Sequence, residues 1–580
     1  MRAKKPTGYS LVVGPTVALL ASLLASTAYA TNYYISPIGS DSNSGTSASA
    51  PWQTVTKVNA TQFKAGDTLM IDAAHGALTG CFSFTNNNVH STATDPFTIT
   101  AYDGAQWTLL SGCGVNGQYI AAVLIDSVSG ILLENGILSG NNTHTMDGVW
   151  IRNYNLPVAA DNIVVRNMDI SNFNTTVTST YSAEVFVTGW PGNGITNVKI
   201  LNNKLHGLTP TSPDDGGITG YGGGGPITVV YANNEIYNLG SRPGAPPGPS
   251  GSAIWCNGTS SCIVDHNYIH NNSANVTTCG GSTGIGTWFA TNSHIYDNEV
   301  AYQQAKSWPA TACDFSALDA DGGSVNSLWE RNYTHDNDGP AILFGGSPPE
   351  QPWSNNTFRL NISENDNLTN NDGGGVWALS PVSGGYVYNN TAYRSIGNGS
   401  SVPYCVSLGW NGQYGPNLVE NNSCEITSSA GMWGYTGGVT DDNSGYNQSS
   451  VTFENNDYDL GGSQMFSWQG QSYNLAGFQS ATHEGAGSMA ANPLFLAPGQ
   501  GGSCNGVLGK GCPSAYHVMV GSPAIGAGGL ITAKLALPGK DYYGNPFKAS
   551  QKYSMGVDSA AVQAAIVRDA GLASHSTSGN

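Results

Sequence analysis

The chain has 580 residues, only 10% of which are charged, and 38 acidic residues face 20 basic ones for a net charge of −18. An acidic surface of this kind repels nucleic acid, so we expect no nucleic-acid partner. After the first thirty residues, no apolar run reaches the roughly 18 residues of a membrane span, so we expect no membrane segment.

The first thirty residues have the order of a secretory signal. Basic residues stand before residue 6, an apolar run covers residues 11–24, and the small-residue sequence "AYA" ends at Ala30. This order predicts a signal peptide over residues 1–30, cleavage near Ala30 and a secreted protein, extracellular or periplasmic. Cleavage removes three basic residues, which leaves 38 acidic against 17 basic residues and a net charge of −21.

The ten cysteines favour disulfides, because thiols oxidise outside the cytoplasm. Their close spacing allows local pairs. Candidate pairs are Cys256 with Cys262, Cys405 with Cys424 and Cys504 with Cys512. Free buried thiols are the alternative.

A short pattern, apolar-x-Asn-x-apolar, returns eleven times through the middle of the chain. Successive copies lie 29 to 36 residues apart. The asparagines are Asn135, Asn167, Asn203, Asn234, Asn267, Asn298, Asn332, Asn361, Asn390, Asn422 and Asn456. The flanking residues alternate apolar and polar and are rich in Val, Ile, Tyr and Thr, which indicates strands.

A repeat of this length in strand-forming sequence predicts the stacked coils of a parallel β-helix. The Gly, Asn, Asp and Ser residues between the strands exclude a helical solenoid. Stacking places equivalent residues about 4.8 Å apart, where asparagine side chains can hydrogen-bond to the coils above and below. We therefore expect the eleven asparagines to form one column.

Three stretches make the chain resemble the bacterial right-handed parallel β-helix proteins of the pectate-lyase-like superfamily: "YYISPIGSDSNSGTSASAPWQTVTKV", "DADGGSVNSLWERNYTHDNDGPAILFGG", and "NPLF" with "GSPAIGAGG", "DYYGNPF" and "MGVD". The resemblance implies an all-β, right-handed parallel β-helix of about eleven or more coils. We expect an N-terminal cap with the first coils over residues 31–115, a central β-helix over 116–472 and a C-terminal closing part over 473–580. The superfamily includes glycoside hydrolases, polysaccharide lyases, epimerases, phage tailspikes and adhesins.

A second recurring strand predicts an outward face that carries acids and aromatic rings. Alternation along "AIWCNG", "GIGTWF", "ALDADG" and "GVWALS" directs Trp255, Trp288, Asp319, Asp321 and Trp377 outward. Pyranose rings stack on aromatic surfaces through their apolar C–H faces, so the three tryptophans are interpreted as sugar platforms. The alternative is that a long loop covers them.

The paired acids are the predicted catalytic groups. Asp319 and Asp321 are about 7 Å apart at Cα on one strand, so their carboxyl separation fits either a retaining or an inverting glycosidase. Asp336 is predicted as a third carboxylate and His335 as its support, and Asp338 and Arg331 are assigned to substrate binding. A turn role is the alternative for Asp338 and His335.

These residues predict a hydrolase for a neutral or weakly charged polysaccharide, acting as a monomer. A uronate lyase or epimerase is the second hypothesis, because the repeat region is poor in the cations that would neutralise a uronate. A non-catalytic adhesin or glycan-binding solenoid is the third.

No cofactor or metal is predicted, with calcium as the open alternative. Asp319, Asp321 and Glu330 stand at positions 1, 3 and 12 of an EF-hand count, but Gly323 and Ser324 break it. A single surface calcium ion held by Asp214 and Asp215, or by Asp336 and Asp338, stays open.

Overall fold

The computed structural model describes residues 30–113, 120–143, 145–154, 156–174, 182–189, 193–209, 216–223, 225–240, 252–274, 283–304, 315–345, 352–369, 374–398, 401–409, 415–441, 450–508, 512–530, 539–547 and 552–560. The predicted signal peptide lies almost entirely outside these residues. Among them, no helix is long and apolar enough to cross a membrane.

The strands, numbered β1 to β43 in chain order, form three long sheets that run side by side along the molecule. Sheet 1 consists of β1 (Asn32–Ile35), β3 (Thr68–Ile71), β7 (Phe97–Ala101), β10 (Ile131–Glu134), β13 (Ala160–Arg166), β16 (Ile195–Leu201), β19 (Ile227–Ala232), β22 (Ser261–Asp265), β25 (His294–Tyr296), β28 (Leu328–Glu330), β31 (Asn356–Arg359), β34 (Gly385–Tyr388), β37 (Asn417–Glu420) and β40 (Val451–Glu454).

Sheet 2 consists of β4 (Leu78–Thr79), β8 (Trp107–Leu110), β11 (Gly136–Ser139), β14 (Asp169–Ser171), β17 (Lys204–His206), β20 (Glu235–Tyr237), β23 (Tyr268–His270), β26 (Glu299–Ala301), β29 (Tyr333–His335), β32 (Ile362–Glu364), β35 (Thr391–Arg394), β38 (Ser423–Ile426) and β41 (Asp457–Leu460).

Sheet 3 consists of β5 (Phe82–Thr85), β9 (Ala121–Asp126), β12 (Asp147–Arg152), β15 (Ala183–Thr188), β18 (Gly216–Tyr221), β21 (Ile254–Asn257), β24 (Ile285–Trp288), β27 (Leu318–Ala320), β30 (Ile342–Phe344), β33 (Gly375–Leu379), β36 (Tyr404–Leu408), β39 (Tyr435–Asp441), β42 (Ser463–Trp468) and β43 (Gln471–Tyr473). Only β43 pairs antiparallel in these three sheets. The remaining elements are β2 (Phe63–Lys64), β6 (Val89–His90), helices α1 (Val55–Asn59) and α2 (Leu475–Thr482), and 3₁₀ turns at Ser428–Ala430 and Ser514–Tyr516.

Each full coil visits sheets 1, 2 and 3 in turn, and from β10 onward the chain bends from sheet 1 towards sheet 2 at a single left-handed residue. Eleven such bends have φ between +51° and +58°. Most are Asn, which tolerates this conformation better than other residues with a Cβ. The predicted parallel β-helix of about eleven or more coils is therefore confirmed.

The asparagine column predicted by the repeat is confirmed for nine coils. From Asn203 to Asn456, each side-chain amide donates to the carbonyl oxygen of the next asparagine at 2.9–3.0 Å. Each backbone N–H donates to the same oxygen, and the nine side chains are buried. The column thus satisfies backbone groups that have no water nearby.

Asn135 and Asn167 are exceptions to the prediction. Both occupy the bend, one residue before the column, and the column positions of their coils hold Gly136 and Met168. The bend and the column both favour asparagine, so a single Asn in a coil does not reveal which of the two it occupies.

The core is one apolar cluster that runs through the interior of the stack. Several strands of sheet 3 begin at a corner where two consecutive side chains point inward. The pairs that reach the core include Ala253 with Ile254, Ala317 with Leu318, Ala341 with Ile342, Val376 with Trp377, and Cys405 with Val406. Strict alternation therefore starts only after the corner.

The C-terminal part folds back along the outside of sheet 2. Its described residues from 493 to 560, here called the closing segment, bury Phe495, Tyr516, Tyr542 and Val557 against Tyr333 of sheet 2. The three predicted disulfides are present, together with Cys81–Cys113. The remaining two cysteines, at positions 279 and 313, lie outside the described residues.

Candidate functional site

The outer face of sheet 3 carries three parallel rows of side chains that define the candidate site. The register pairs Trp255 with Gly286, Gly286 with Asp319, and Asn257 with Trp288. Asp321 follows β27 and its backbone N–H donates to the Thr287 carbonyl at 3.0 Å, which places Asp321 beside Trp288. The third row, at the start of the strands, holds the buried residues Ser252, Thr283 and Ser316, and the hydroxyls of Ser252 and Thr283 are hydrogen-bonded at 2.7 Å.

Two aromatic rings at this face lie on glycines of the following coil. A Cβ at Gly286 would overlap the Trp255 indole, and a Cβ at Gly323 would overlap the Phe289 ring. The Trp288 and Phe289 ring centroids are 5.3 Å apart. The glycines are therefore required for the rings to lie flat along the helix axis, next to Asp319 and Asp321.

The two acids differ in their surroundings. Asp319 is only 3% exposed, whereas Asp321 is partly exposed and accepts a 2.7 Å hydrogen bond from the Gly322 N–H. Ala320 lies between the two acids in the sequence. Its carbonyl oxygen accepts hydrogen bonds from the Trp353 indole at 2.8 Å and from the Gly345 N–H at 2.9 Å, which hold the strand in place. A buried and a more exposed carboxyl group on one fixed strand can act as a proton donor and a proton acceptor.

The predicted outward position of Trp377 is wrong. Register pairs Trp377 with Ile342 and Val406, and its side chain is 1% exposed inside the core. The corner explains the error, because Val376 and Trp377 both point inward and shift the alternation by one residue. Trp377 thus fills the interior and contacts no substrate.

The predicted grouping of His335 and Asp336 with the two acids is also wrong, because His335 lies on sheet 2. Its ring contacts Asp336 at 3.0 Å and Glu299 at 3.2 Å. Burial opposes protonation, but these hydrogen bonds outweigh burial and raise the pKa of His335 to about 9. Glu299 also accepts hydrogen bonds from the N–H groups of Cys504 and Gly506, so this cluster holds the closing segment.

Arg331 and Asp338, both assigned to substrate binding, lie outside the strand that carries the two acids. Arg331 is a bend residue that pairs with Asp297 at 2.9 Å and Glu330 at 2.8 Å. It lines a crevice of about 550 Å³ between the stack and the closing segment. Asp338 belongs to the turn after β29, where its N–H donates to the Gln303 carbonyl.

The described residues contain no group of three His, Cys, Asp or Glu side chains placed to hold a metal ion. The Asp336 carboxylate is bonded to His335, and the backbone of Asp338 links neighbouring coils. Asp214 and Asp215, the other calcium candidates, lie outside the described residues.

The sequence did not indicate Phe289, Trp353 or the hydroxyl row as parts of this site. Phe289 follows Trp288 directly, and its ring lies on Gly323, the last residue of the "DADGG" stretch. A glycine aligned with an aromatic residue of the preceding coil was the one signal in the sequence that could have indicated Phe289. Trp353 comes from the following coil and contacts the site from the interior. No local pattern identifies such a contact.

Residues 192–392 match the family model described as a right-handed β-helix region, which confirms the right-handed fold that the resemblance implied. No curated protein has a significant sequence match to the chain. The solved structures similar to it include a GH136 lacto-N-biosidase from Eubacterium ramulus, with a TM-score of 0.48, 20% identity and 65% of each chain covered.

Two further similar structures are a pectate lyase and a GH87 alpha-1,3-glucanase from Streptomyces thermodiastaticus. The pectate lyase has a TM-score of 0.39 and 14% identity, with 91% of this chain and 96% of that chain covered. The glucanase catalytic unit has a TM-score of 0.38 and 14% identity, with 71% of this chain and 65% of that chain covered. This chain thus spans about two thirds of the length of the lacto-N-biosidase and of the glucanase unit.

Proposed function

We propose that this right-handed parallel β-helix is a secreted glycoside hydrolase that acts on a neutral or weakly charged polysaccharide at the outer face of sheet 3. One observation carries the proposal: Asp319 and Asp321 stand on one strand, in adjacent rows, beside aromatic rings that lie along the helix axis on glycines. Aromatic rings supply flat apolar area for sugar faces, and paired carboxyl groups are the usual machinery of glycoside hydrolysis.

The environments of the two acids support a division of roles. We assign Asp319, the more buried of the two, as the acid that donates its proton to the glycosidic oxygen as the bond to C1 breaks. Asp321 is partly exposed and bonded to the Gly322 N–H, which favours the ionised form. It either attacks C1 itself as the nucleophile, or acts as the base that takes a proton from the water molecule that attacks C1.

The disulfides support an exported protein, since such bonds persist in oxidising compartments. The basic and apolar order of residues 1–30 supports the same localisation. We expect the isolated protein to begin just after Ala30, as N-terminal sequencing of the secreted form would establish.

The proposal is tested by digestion of a panel of polysaccharides, with reducing ends and absorbance of unsaturated uronates measured together. We expect new reducing ends without the absorbance change. An absorbance increase would instead favour a lyase, and retention of the protein on a glycan without any product would favour a glycan-binding solenoid.

The residues are tested by Asp319→Asn and Asp321→Asn, which keep the side-chain size and remove the titratable group. We expect each to lower kcat by roughly 10²–10⁴, because general acid–base catalysis contributes about that much. The double variant should be little slower than the slower single variant, since groups that act as a unit are not additive.

The matched control is Asp169→Asn, because Asp169 is a partly exposed acid on sheet 2. It should leave kcat unchanged. Parental turnover in both folded sheet 3 variants would contradict the assignment of these acids.

A further inference from the structure

A tight hairpin before β39 carries an exposed tryptophan at its tip. The N–H of Met432 donates to the Tyr435 carbonyl at 3.2 Å, and the N–H of Tyr435 donates back to the Met432 carbonyl at 2.9 Å. Trp433 and Gly434 form the tip with φ of +49° and +81°. The Trp433 side chain is 85% exposed, the highest value among the large apolar side chains that the structure describes.

Two effects make a tryptophan unfavourable for stability at this position. Positive φ at both tip residues favours Asn-Gly, and a bulky side chain in this conformation is strained. An exposed indole also gains none of the free energy that burial of its apolar surface would provide. Strained residues of this kind cluster at ligand-binding sites, where another interaction compensates for the strain.

The hairpin is a fixed support for Trp433. Its base is held to the preceding coil, where the N–H of Thr427 donates to the Arg394 carbonyl and the Ser429 hydroxyl donates to the Ser395 carbonyl, both at 2.9 Å. Its tip is held to the following coil by a 2.6 Å hydrogen bond from the Ser463 N–H to the Gly434 carbonyl. The indole is therefore presented with little freedom to collapse onto the protein.

The exposed aromatic residues of the described chain all border sheet 3. Among Phe, Tyr and Trp, those more than a third exposed are Tyr154 just after β12, Phe289 just after β24, and Trp433 and Tyr435 at the start of β39. Sheets 1 and 2 have no such residue among the described positions. Tyr154 and Phe289 follow strand ends, whereas Trp433 and Tyr435 stand at a strand start, so the rings lie along both edges of the sheet that carries Asp319 and Asp321.

The distance along the helix axis suggests the length of the ligand. β39 lies four strands beyond β27 in sheet 3, or about 19 Å at the usual strand spacing. The register places Thr440 in the row of Asp319, so Tyr435, next to the hairpin tip, lies about 17 Å further back along the strand direction. Only a chain of several sugar residues can contact Asp319 and Trp433 at the same time.

We propose that Trp433 is a distal sugar platform, and that the ligand is a long linear polysaccharide that crosses the outer face of sheet 3 obliquely, from Asp319 and Asp321 to the edge where the strands begin. That one polysaccharide molecule contacts both Asp319 and Trp433 rests on the proposed hydrolase function. That Trp433 binds sugar does not rest on it.

The test compares Trp433→Asn with the parent protein. Asn suits the left-handed tip, so the variant should fold and keep its melting temperature or raise it. On the polysaccharide that the panel identifies, KM should rise by roughly fivefold or more, as loss of one aromatic stacking contact predicts. Turnover of short oligosaccharides that reach only Asp319 and Asp321 should not change, and Val520→Asn, at an exposed position of the closing segment, should change neither value.

Affinity electrophoresis in gels that contain the panel polysaccharides separates this proposal from the catalytic one. If the parent protein cleaves nothing but is retarded by a polysaccharide, and Trp433→Asn abolishes the retardation, the platform stands and the hydrolase proposal fails. If the parent cleaves a polymer and Trp433→Asn has parental KM and retardation, the platform is overturned alone. No retardation and no cleavage of any polymer by the parent would overturn both.

Discussion

At the scale of single residues, a shift of one position along a strand of sheet 3 decides whether a tryptophan lies at the surface or in the core. Trp255 lies on Gly286 at the outer face, whereas Trp377 fills the interior two coils after Asp319. The chemistry of the side chain is the same in both places, so only its direction determines whether it stabilises the fold or contacts a ligand.

We expect Trp377→Ala to lower the free energy of unfolding by about 3–5 kcal/mol, because it removes a large buried side chain and leaves a cavity. Trp255→Ala, the matched change at the outer face, should cost less stability but weaken glycan binding by roughly 1 kcal/mol or more. Urea unfolding and affinity electrophoresis of both variants measure the two effects. Normal stability in Trp377→Ala would be inconsistent with its interior position.

At the scale of elements, the bend and the asparagine column together fix the stacking of one coil on the next. The left-handed bend turns the chain from sheet 1 to sheet 2 without a loop, and the next residue supplies the amide that links three coils. Each column asparagine both donates and accepts, so a substitution leaves unsatisfied groups in the coils on both sides.

We expect Asn332→Ala, in the middle of the column, to destabilise the protein by about 1–3 kcal/mol through the buried N–H of Asn298 that loses its acceptor. Asn167→Gly is the control, because Asn167 occupies only the bend, where glycine adopts the left-handed conformation readily. It should change stability by no more than about 1 kcal/mol. Equal losses in the two variants, measured by urea unfolding, would contradict the separate roles of bend and column.

At the scale of the whole molecule, the closing segment returns over sheet 2 and uses acids that the repeat places there. Glu364 accepts hydrogen bonds from the N–H of Gly501 and from the Tyr516 hydroxyl, and Glu299 accepts them from Cys504 and Gly506. The closing segment thus covers the outside of sheet 2, and the proposed chemistry takes place on a different sheet.

We expect the closing segment to loosen at alkaline pH. The pKa of His335 rises from an ordinary value near 6.5 to about 9 in the folded protein, so its stabilising contribution is complete below about pH 6.5 and is lost as pH rises through about 9. Hydrogen exchange of residues 501–508, corrected for the intrinsic effect of pH, should accelerate roughly tenfold or more between pH 7 and pH 10.

His335→Gln removes the titrating group and serves as the comparison. In this variant the exchange of the segment should be fast already at pH 7 and should change little with pH, while kcat at sheet 3 stays parental. A large fall in kcat at neutral pH, with the segment still protected, would return His335 to the catalytic role that the sequence suggested.

The sequence by itself determined the coil length, the asparagine column in nine of eleven copies, three disulfides and the outward direction of Asp319, Asp321, Trp255 and Trp288. These follow from local rules, because strand alternation, the left-handed preference of asparagine and short cysteine spacing act over a few residues. Only the tertiary structure decided the rest. Trp377 turned inward because the corner of sheet 3 places two side chains in the core, and His335 and Asp336 lie outside the site because β29 belongs to sheet 2, where the closing segment packs. The corner and the division of each coil among three sheets depend on how the coils stack, and the alternation within a single strand encodes neither.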